Sequence, residues 1–248
     1  MSLTIQGKEY EDIFALAKAI PTNEIDFVKA LRSEEVLSFV KSEDENKGKR
    51  LDLLSLSSLP EDVFLFRAQE ILNPFLPFSF HGVTFETYAS LGTSLLSSSP
   101  TPDPTLLPIL RYRLVSEKMK TSGYEKEHGE EYEKVLEIEK EDQEDIAYAY
   151  FSLGYYLSKS TSFFYRGVEY ENLYNFTYYL IKKENDLNAL GSFLSNSSLL
   201  EAYSNYSKDR IAIQEYLHLC KERDNSEEAF TSFQAKRKER LSKESSHS

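Results

Sequence analysis

Residues that could do chemistry are few in this chain, and their spacing does not suit it. Histidine occurs at His81, His128, His218 and His247, and cysteine only at Cys220. A zinc site needs several Cys, His or carboxylate ligands converging on one ion, and no two of these histidines stand at such a spacing. His218 and Cys220 lie two positions apart, which on a helix turns them in different directions. A single cysteine in apolar helical surroundings behaves as a small hydrophobe. The chain has no Gly-rich phosphate loop, no Gly-x-Ser-x-Gly elbow and no His-Glu-x-x-His run. The sequence therefore nominates no catalytic, cofactor-binding or metal-ligating residue, and no cofactor.

Two stretches could serve binding instead. Tyr124–Asp145 holds eleven acidic residues and three lysines. Its acids do not follow a calcium-loop spacing, and its one glycine, Gly129, does not stand where the turn of such a loop requires it. A solvated helix face is the plain expectation, with a basic partner as the functional one. Tyr148, Tyr150, Phe151, Tyr155 and Tyr156 crowd another segment. Aromatics that cover most of a helix point to a core element rather than a ligand groove. The tail Lys236-Arg237-Lys238-Glu239-Arg240-Leu241 is basic against an acidic body, and reads as a fraying helix end before a polar terminus.

Composition narrows the classes. The 248 residues are 40% hydrophobic, enough for a buried core, and carry a net charge of -12. Such a charge repels phosphate backbones and anionic lipid, which argues against a nucleic-acid partner. One cysteine allows no intrachain disulfide. No apolar run approaches the ~20 residues that span a bilayer, and the first residues lack the basic-then-apolar pattern of a signal peptide. These features predict a cytoplasmic chain without membrane contact.

The elements that would position any site follow from an internal repeat. Leu3–Glu11, Phe78–Glu86 and Phe163–Glu171 read alike when aligned on Gly7, Gly82 and Gly167. Tyr10, Phe85 and Tyr170 follow three positions on, then Glu11, Glu86 and Glu171. Ile13, Tyr88 and Leu173 come at offset six, Leu16, Leu91 and Phe176 at nine, and Ile20, Leu95 and Leu180 at thirteen. A second anchor recurs at Glu61-Asp62-Val63, Glu144-Asp145-Ile146 and Glu227-Glu228-Ala229. Self-similarity at a fixed period marks repeat architectures.

Each position has a local reading. Gln6-Gly7, His81-Gly82 and Arg166-Gly167 suit two-residue hairpin turns, in which glycine supplies positive φ. Offsets six, nine and thirteen share one helix face. The in-register glutamate is expected in the first helical turn, where the helix dipole favours it. Ser33 is predicted to cap a helix over 34–40, and Ser198 to form a capping box with Glu201. Pro60 should open the helix at Glu61, and Asn73-Pro74 should end it. The loop Ser97–Pro104 is the expected flexible insertion.

The fold class expected is mainly α, as three tandem diverged helical repeats that each open with a short β-hairpin. Their boundaries are 1–77, 78–162 and 163–248, the last with a polar tail, in one continuous repeat domain.

The register from Gly7 through Tyr10, Glu11 and Leu16, followed by a second helix with Leu31, Val36 and Leu37, resembles short modules of multidomain bacterial proteins. Those proteins also carry kinase-like or Hsp70-like ATPase domains. The modules place Trp where this chain has Phe39. The resemblance implies a non-catalytic regulatory or scaffolding segment and transfers no functional residue.

The function expected is a non-catalytic protein–protein interaction or scaffold protein whose partner has a basic surface. The alternatives are an enzyme with a cleft between units and a carrier of a small apolar ligand in an aromatic pocket.

Overall fold

The computed structural model describes residues 2–140, 145–179 and 197–207, with a few isolated positions between 235 and 246. Over these residues the chain is mainly helical, with three two-stranded antiparallel hairpins. The first pairs β1 (Leu3–Ile5) with β2 (Lys8–Tyr10), the second β3 (Phe78–Phe80) with β4 (Val83–Phe85), and the third β5 (Phe163–Tyr165) with β6 (Val168–Tyr170). Leu3 faces Tyr10, Phe78 faces Phe85, and Phe163 faces Tyr170.

The turns between the strands are alike. Gln6, His81 and Arg166 have φ of 51°, 50° and 50°, and Gly7, Gly82 and Gly167 have 78°, 75° and 76°. Two successive positive values are the mirror-image turn whose twist matches right-twisted strands. The hairpin turns expected from Gly7, Gly82 and Gly167 are therefore present.

Helices follow each hairpin. They are α1 (Ile13–Ala19), α6 (Tyr88–Leu96) and α11 (Leu173–Tyr178). Ile13, Leu16 and Ile20 are buried, as are Leu91 and Leu95, and Leu173 and Phe176. Position Leu180 lies outside the described residues. One expectation needs correcting here. Glu11, Glu86 and Glu171 are exposed and precede the helices instead of lying in the first turn. The next residue does the capping: the carboxylate of Asp12 accepts from the Ala15 amide at 2.7 Å, and the Asn172 side chain accepts from the Asn175 amide at 2.8 Å. Short polar side chains outrank glutamate at that position because they reach back to the free amides of the first turn.

The chain forms two compact bodies, each made of two segments. The first comprises residues 1–87 and 108–137, the second 88–107 and 138–248. Each body takes residues from more than one of the segments 1–77, 78–162 and 163–248.

In the first body, α2 (Glu24–Ala30), α3 (Glu34–Glu43), α4 (Glu45–Ser55) and α5 (Glu61–Leu72) follow α1. Ser33 caps α3 by accepting from the Val36 amide, Pro60 precedes α5, and Asn73 ends it. Leu16, Phe27, Leu31, Val40, Leu51, Phe64 and Leu72 are buried together. The Gln69 side chain crosses this core to donate to the Ala17 carbonyl at 3.1 Å, so its burial leaves no amide unmatched. Also here are α8 (Leu114–Thr121), which follows α7 (Leu107–Arg111), and most of α9 (Gly129–Glu139).

In the second body, α10 (Ile146–Ser158) packs on α6 and on α12 (Ser197–Tyr206). A Cβ on Gly92 would lie 2.5 Å from the Ser158 nitrogen, and one on Gly154 would lie 2.8 Å from the Leu96 side chain. Glycine is what lets α6 and α10 approach so closely. Tyr148, Tyr150, Phe151 and Tyr155 are buried, as expected for a core helix. Tyr203 meets Tyr155 and Phe163 edge-on at 5.5 and 5.2 Å, and Phe163 lies 4.8 Å from Phe176. The rings fill this space with each other.

Two further expectations change. Ser198 already lies within α12 and donates to the Asp145 carboxylate at 2.7 Å, while Glu201 is fully buried. Ser198 is thus the second residue of the helix, whereas a capping box needs it just before the first. The loop Ser97–Pro104 is not free of the fold: Ser99 is buried, and its carbonyl accepts from the Arg166 amide at 2.7 Å.

Candidate functional site

Two concave sites lie in the first body, and α5 lines both. The first, of about 450 Å³, is formed where α4, α5 and α8 meet. Spacing explains its lining. Arg50, Leu53, Leu54 and Ser57 follow one face of α4 and its exit at i, i+3, i+4 and i+7, the stripe that one side of a helix presents. Arg67, Glu70 and Ile71 do the same on α5, and Glu117 and Thr121 on α8. Arg32 holds the exit of α4 in place by donating to the Ser55 and Ser57 carbonyls at 2.6 and 3.2 Å. Its guanidinium also sits 3.9 Å from the centre of the Phe64 ring.

The floor of this groove holds a buried ion pair. Lys118 Nζ is 2.7 Å from Glu70 Oε1 and donates also to the Pro74 carbonyl at 2.8 Å. Thr121 Oγ1 donates to Glu70 Oε2 at 2.5 Å. The Lys118 and Glu70 side chains are only 4% and 5% exposed. Burial pushes the Glu70 carboxyl above the usual carboxylate range, and Lys118 with the two hydrogen bonds pulls it part of the way back. Both carboxylate oxygens are thus engaged. A general acid or base must offer a free oxygen to substrate within hydrogen-bond reach, and Glu70 spends both inside the fold. Above it, Arg67 Nε is 3.2 Å from Glu117 Oε1.

The second concavity, of about 360 Å³, lies between α2, the start of α5 and the β3–β4 turn. Glu24, Ile25 and Val28 come from α2, Glu61, Asp62 and Leu65 from α5, and His81 from the turn. Three carboxylates and no Lys or Arg line it. Ile25 is 91% exposed. The Gly82 amide donates to Glu24 Oε1 at 2.7 Å, which fixes the turn beside the groove. Glu61 and Asp62 occupy the first turn of α5, where unpaired amides favour negative charge.

Of the histidines, His81 is exposed at the lip of this second groove, and His128 stacks on Tyr124 at 4.2 Å. His218, His247 and Cys220 lie outside the described residues, as does most of the basic tail. In the acidic stretch Glu127, Glu130, Glu133 and Glu137 are exposed, as a solvated face requires, whereas Glu139 is buried. Among the described residues no group of three His, Cys, Asp or Glu side chains is placed to hold a metal ion, and no helix is long and apolar enough to cross a membrane.

Sequence reasoning missed both grooves. Their aliphatic and charged stripes are visible at helical spacing, but the partners that complete them lie far apart in the chain.

No known family model, curated protein or solved structure matches this chain.

Proposed function

We propose that this chain is a non-catalytic interaction scaffold of the cytoplasm, built from three diverged hairpin-and-helix units, that docks a basic, aliphatic segment of a partner protein between α2 and α5. The three-unit reading is supported by the matching torsions at the three turns. It is supported further by how two of those turns dock. The second turn donates to Glu24 and the third to the Ser99 carbonyl. Residues 24 and 99 are 75 positions apart, the same separation as Gly7 and Gly82. Each turn therefore seats on the segment that follows the first helix of the unit before it.

The observation that carries the docking is Ile25, 91% exposed among Glu24, Glu61 and Asp62. A β-branched aliphatic left in water gains roughly 1.5–3 kcal/mol when fully buried. The carboxylates around it have no cation in the groove lining, so a partner's Lys or Arg would supply the missing charge. The net charge of -12 steers basic partners toward the surface and speeds encounter.

The reading is tested with a fluorescent peptide that carries Lys and Arg around two aliphatic residues, titrated by anisotropy. Binding to the wild type is expected, with an affinity loss of about tenfold or more for Ile25→Asp and for Glu61→Gln/Asp62→Asn. Equal affinity for all three proteins would refute it.

A further inference from the structure

The groove lined by α4, α5 and α8 carries the opposite sign, and it points to a second docking site. We infer that it binds a partner segment in which one Asp or Glu side chain sits beside two aliphatic side chains. The inference uses different residues from the α2–α5 reading and does not depend on it.

Charge comes first. Arg67 is held by Glu117, and Lys118 by Glu70. Arg50 makes no ion pair among the described residues, and its own helix offers it none: the positions three and four away are Asn46, Lys47, Leu53 and Leu54. The three cations in and under the groove therefore face two anions, and Arg50 is the one left over. In a protein of net charge -12 this is a local exception. At physiological ionic strength charges are screened over about 8 Å, so a short segment seated here responds to Arg50 before it responds to the distant acids. Guanidinium offers a planar fork of donors that suits a carboxylate.

The apolar wall comes second. Leu53 is 74% exposed on the rim, Leu56 is 80% exposed just beyond it, and Leu54, Leu59 and Ile71 continue the surface inward. The volume of about 450 Å³ lies in the range of binding pockets, roughly 300–1,000 Å³. It has room for a few side chains.

A peptide fits this better than a fatty acid. The guanidinium nitrogens of Arg67 other than the Nε that Glu117 holds interrupt the aliphatic wall and can meet a peptide carbonyl, and the exposed leucine rim leaves an acyl chain half in water. The buried Glu70–Lys118 pair supplies a rigid floor and takes no part in recognition.

Three labelled peptides test this, identical except for a central Glu, Gln or Lys between two Leu. Each is titrated by anisotropy at physiological salt against the full chain, Arg50→Gln, Leu53→Asp and Ile25→Asp. The thermal midpoint of each variant is recorded first; Arg50 and Leu53 are exposed, so it should not move. The Glu peptide is expected to bind about tenfold more tightly than the Gln peptide, and the Lys peptide more weakly still. Arg50→Gln should erase the Glu-over-Gln preference. Leu53→Asp should weaken all three peptides. Ile25→Asp should leave them unchanged, whatever happens to the basic peptide at the other groove. Equal binding of the Glu and Gln peptides, a preference that survives Arg50→Gln, or displacement of the Glu peptide by laurate at equal concentration would each overturn the inference.

Discussion

At the start of α5, Glu61, Asp62 and Leu65 look across a groove at Ile25 and Val28; two turns later Arg67, Glu70 and Ile71 look across another at Arg50, Leu53 and Leu54. Both grooves set aliphatic side chains among charged ones at helical spacing. They differ in what has become of the charge. In the first, the carboxylates sit at helix starts and accept only from backbone amides, with no cation among the lining residues to balance their charge. In the second, the deepest charges are spent on each other. Burying an ion is costly unless a partner and further hydrogen bonds compensate. Glu70 therefore has Lys118 and Thr121, and Lys118 has the Pro74 carbonyl as well. A charge compensated within the fold holds structure; one left uncompensated at a rim can still meet an opposite charge from outside.

The largest expected effect breaks the structural half of that contrast. Lys118→Met strands a buried carboxylate and should destabilise the fold by about 3–5 kcal/mol at neutral pH, read by denaturant unfolding. Glu70→Leu/Lys118→Met together should recover most of the loss, because well-packed apolar replacements of a buried pair are often neutral. A double variant no more stable than the single one would show that the pair is not what holds the floor.

The next effect uses pH. The Glu70 carboxyl is raised by burial, so its protonated form is the one the fold favours relative to the unfolded chain. That contribution is fully present below the ordinary carboxylate value of 4.5 and fades as pH rises through the raised folded value. Glu70→Gln should remove this part of the slope of stability against pH.

Smaller effects belong to the acid groove. Ile25→Asp and Glu61→Gln/Asp62→Asn should move stability by no more than about 1 kcal/mol, since they alter exposed positions and helix-start charge. They should still abolish most binding of the basic peptide. The smallest stability effect is that of salt. Raising it to about 0.5 M should weaken the basic peptide while leaving the contribution of the buried pair nearly untouched, because buried pairs are screened far less than exposed ones.

What could be read from the sequence was local. Glycine at Gly7, Gly82 and Gly167 marks a torsion that few other residues adopt, so the hairpin turns were legible from residue type alone. Ser33, Pro60 and Asn73 marked helix ends through the same short-range rules. The in-register glutamates misled because charge was weighed above reach: Asp12 and Asn172, one position on, make the caps. Ser97–Pro104 read as a free loop because nothing local reveals that the Ser99 carbonyl meets the Arg166 amide. The grooves were illegible for a related reason. Glu70 and Lys118 are 48 positions apart, and only packing brings α8 onto α5. His81, at the turn position where the other hairpins carry Gln6 and Arg166, is exposed and stands at the edge of the acid groove, since the turn that carries it seats on Glu24.

The most direct test of the account is amide chemical-shift mapping of the basic peptide on the isotope-labelled chain. The account predicts saturable shifts that cluster on Glu24, Ile25, Val28, Glu61, Asp62 and Leu65. Shifts spread along the exposed acids Glu127–Glu137, or none at all, would contradict it, because the partner would then be reading bulk negative charge and not a groove.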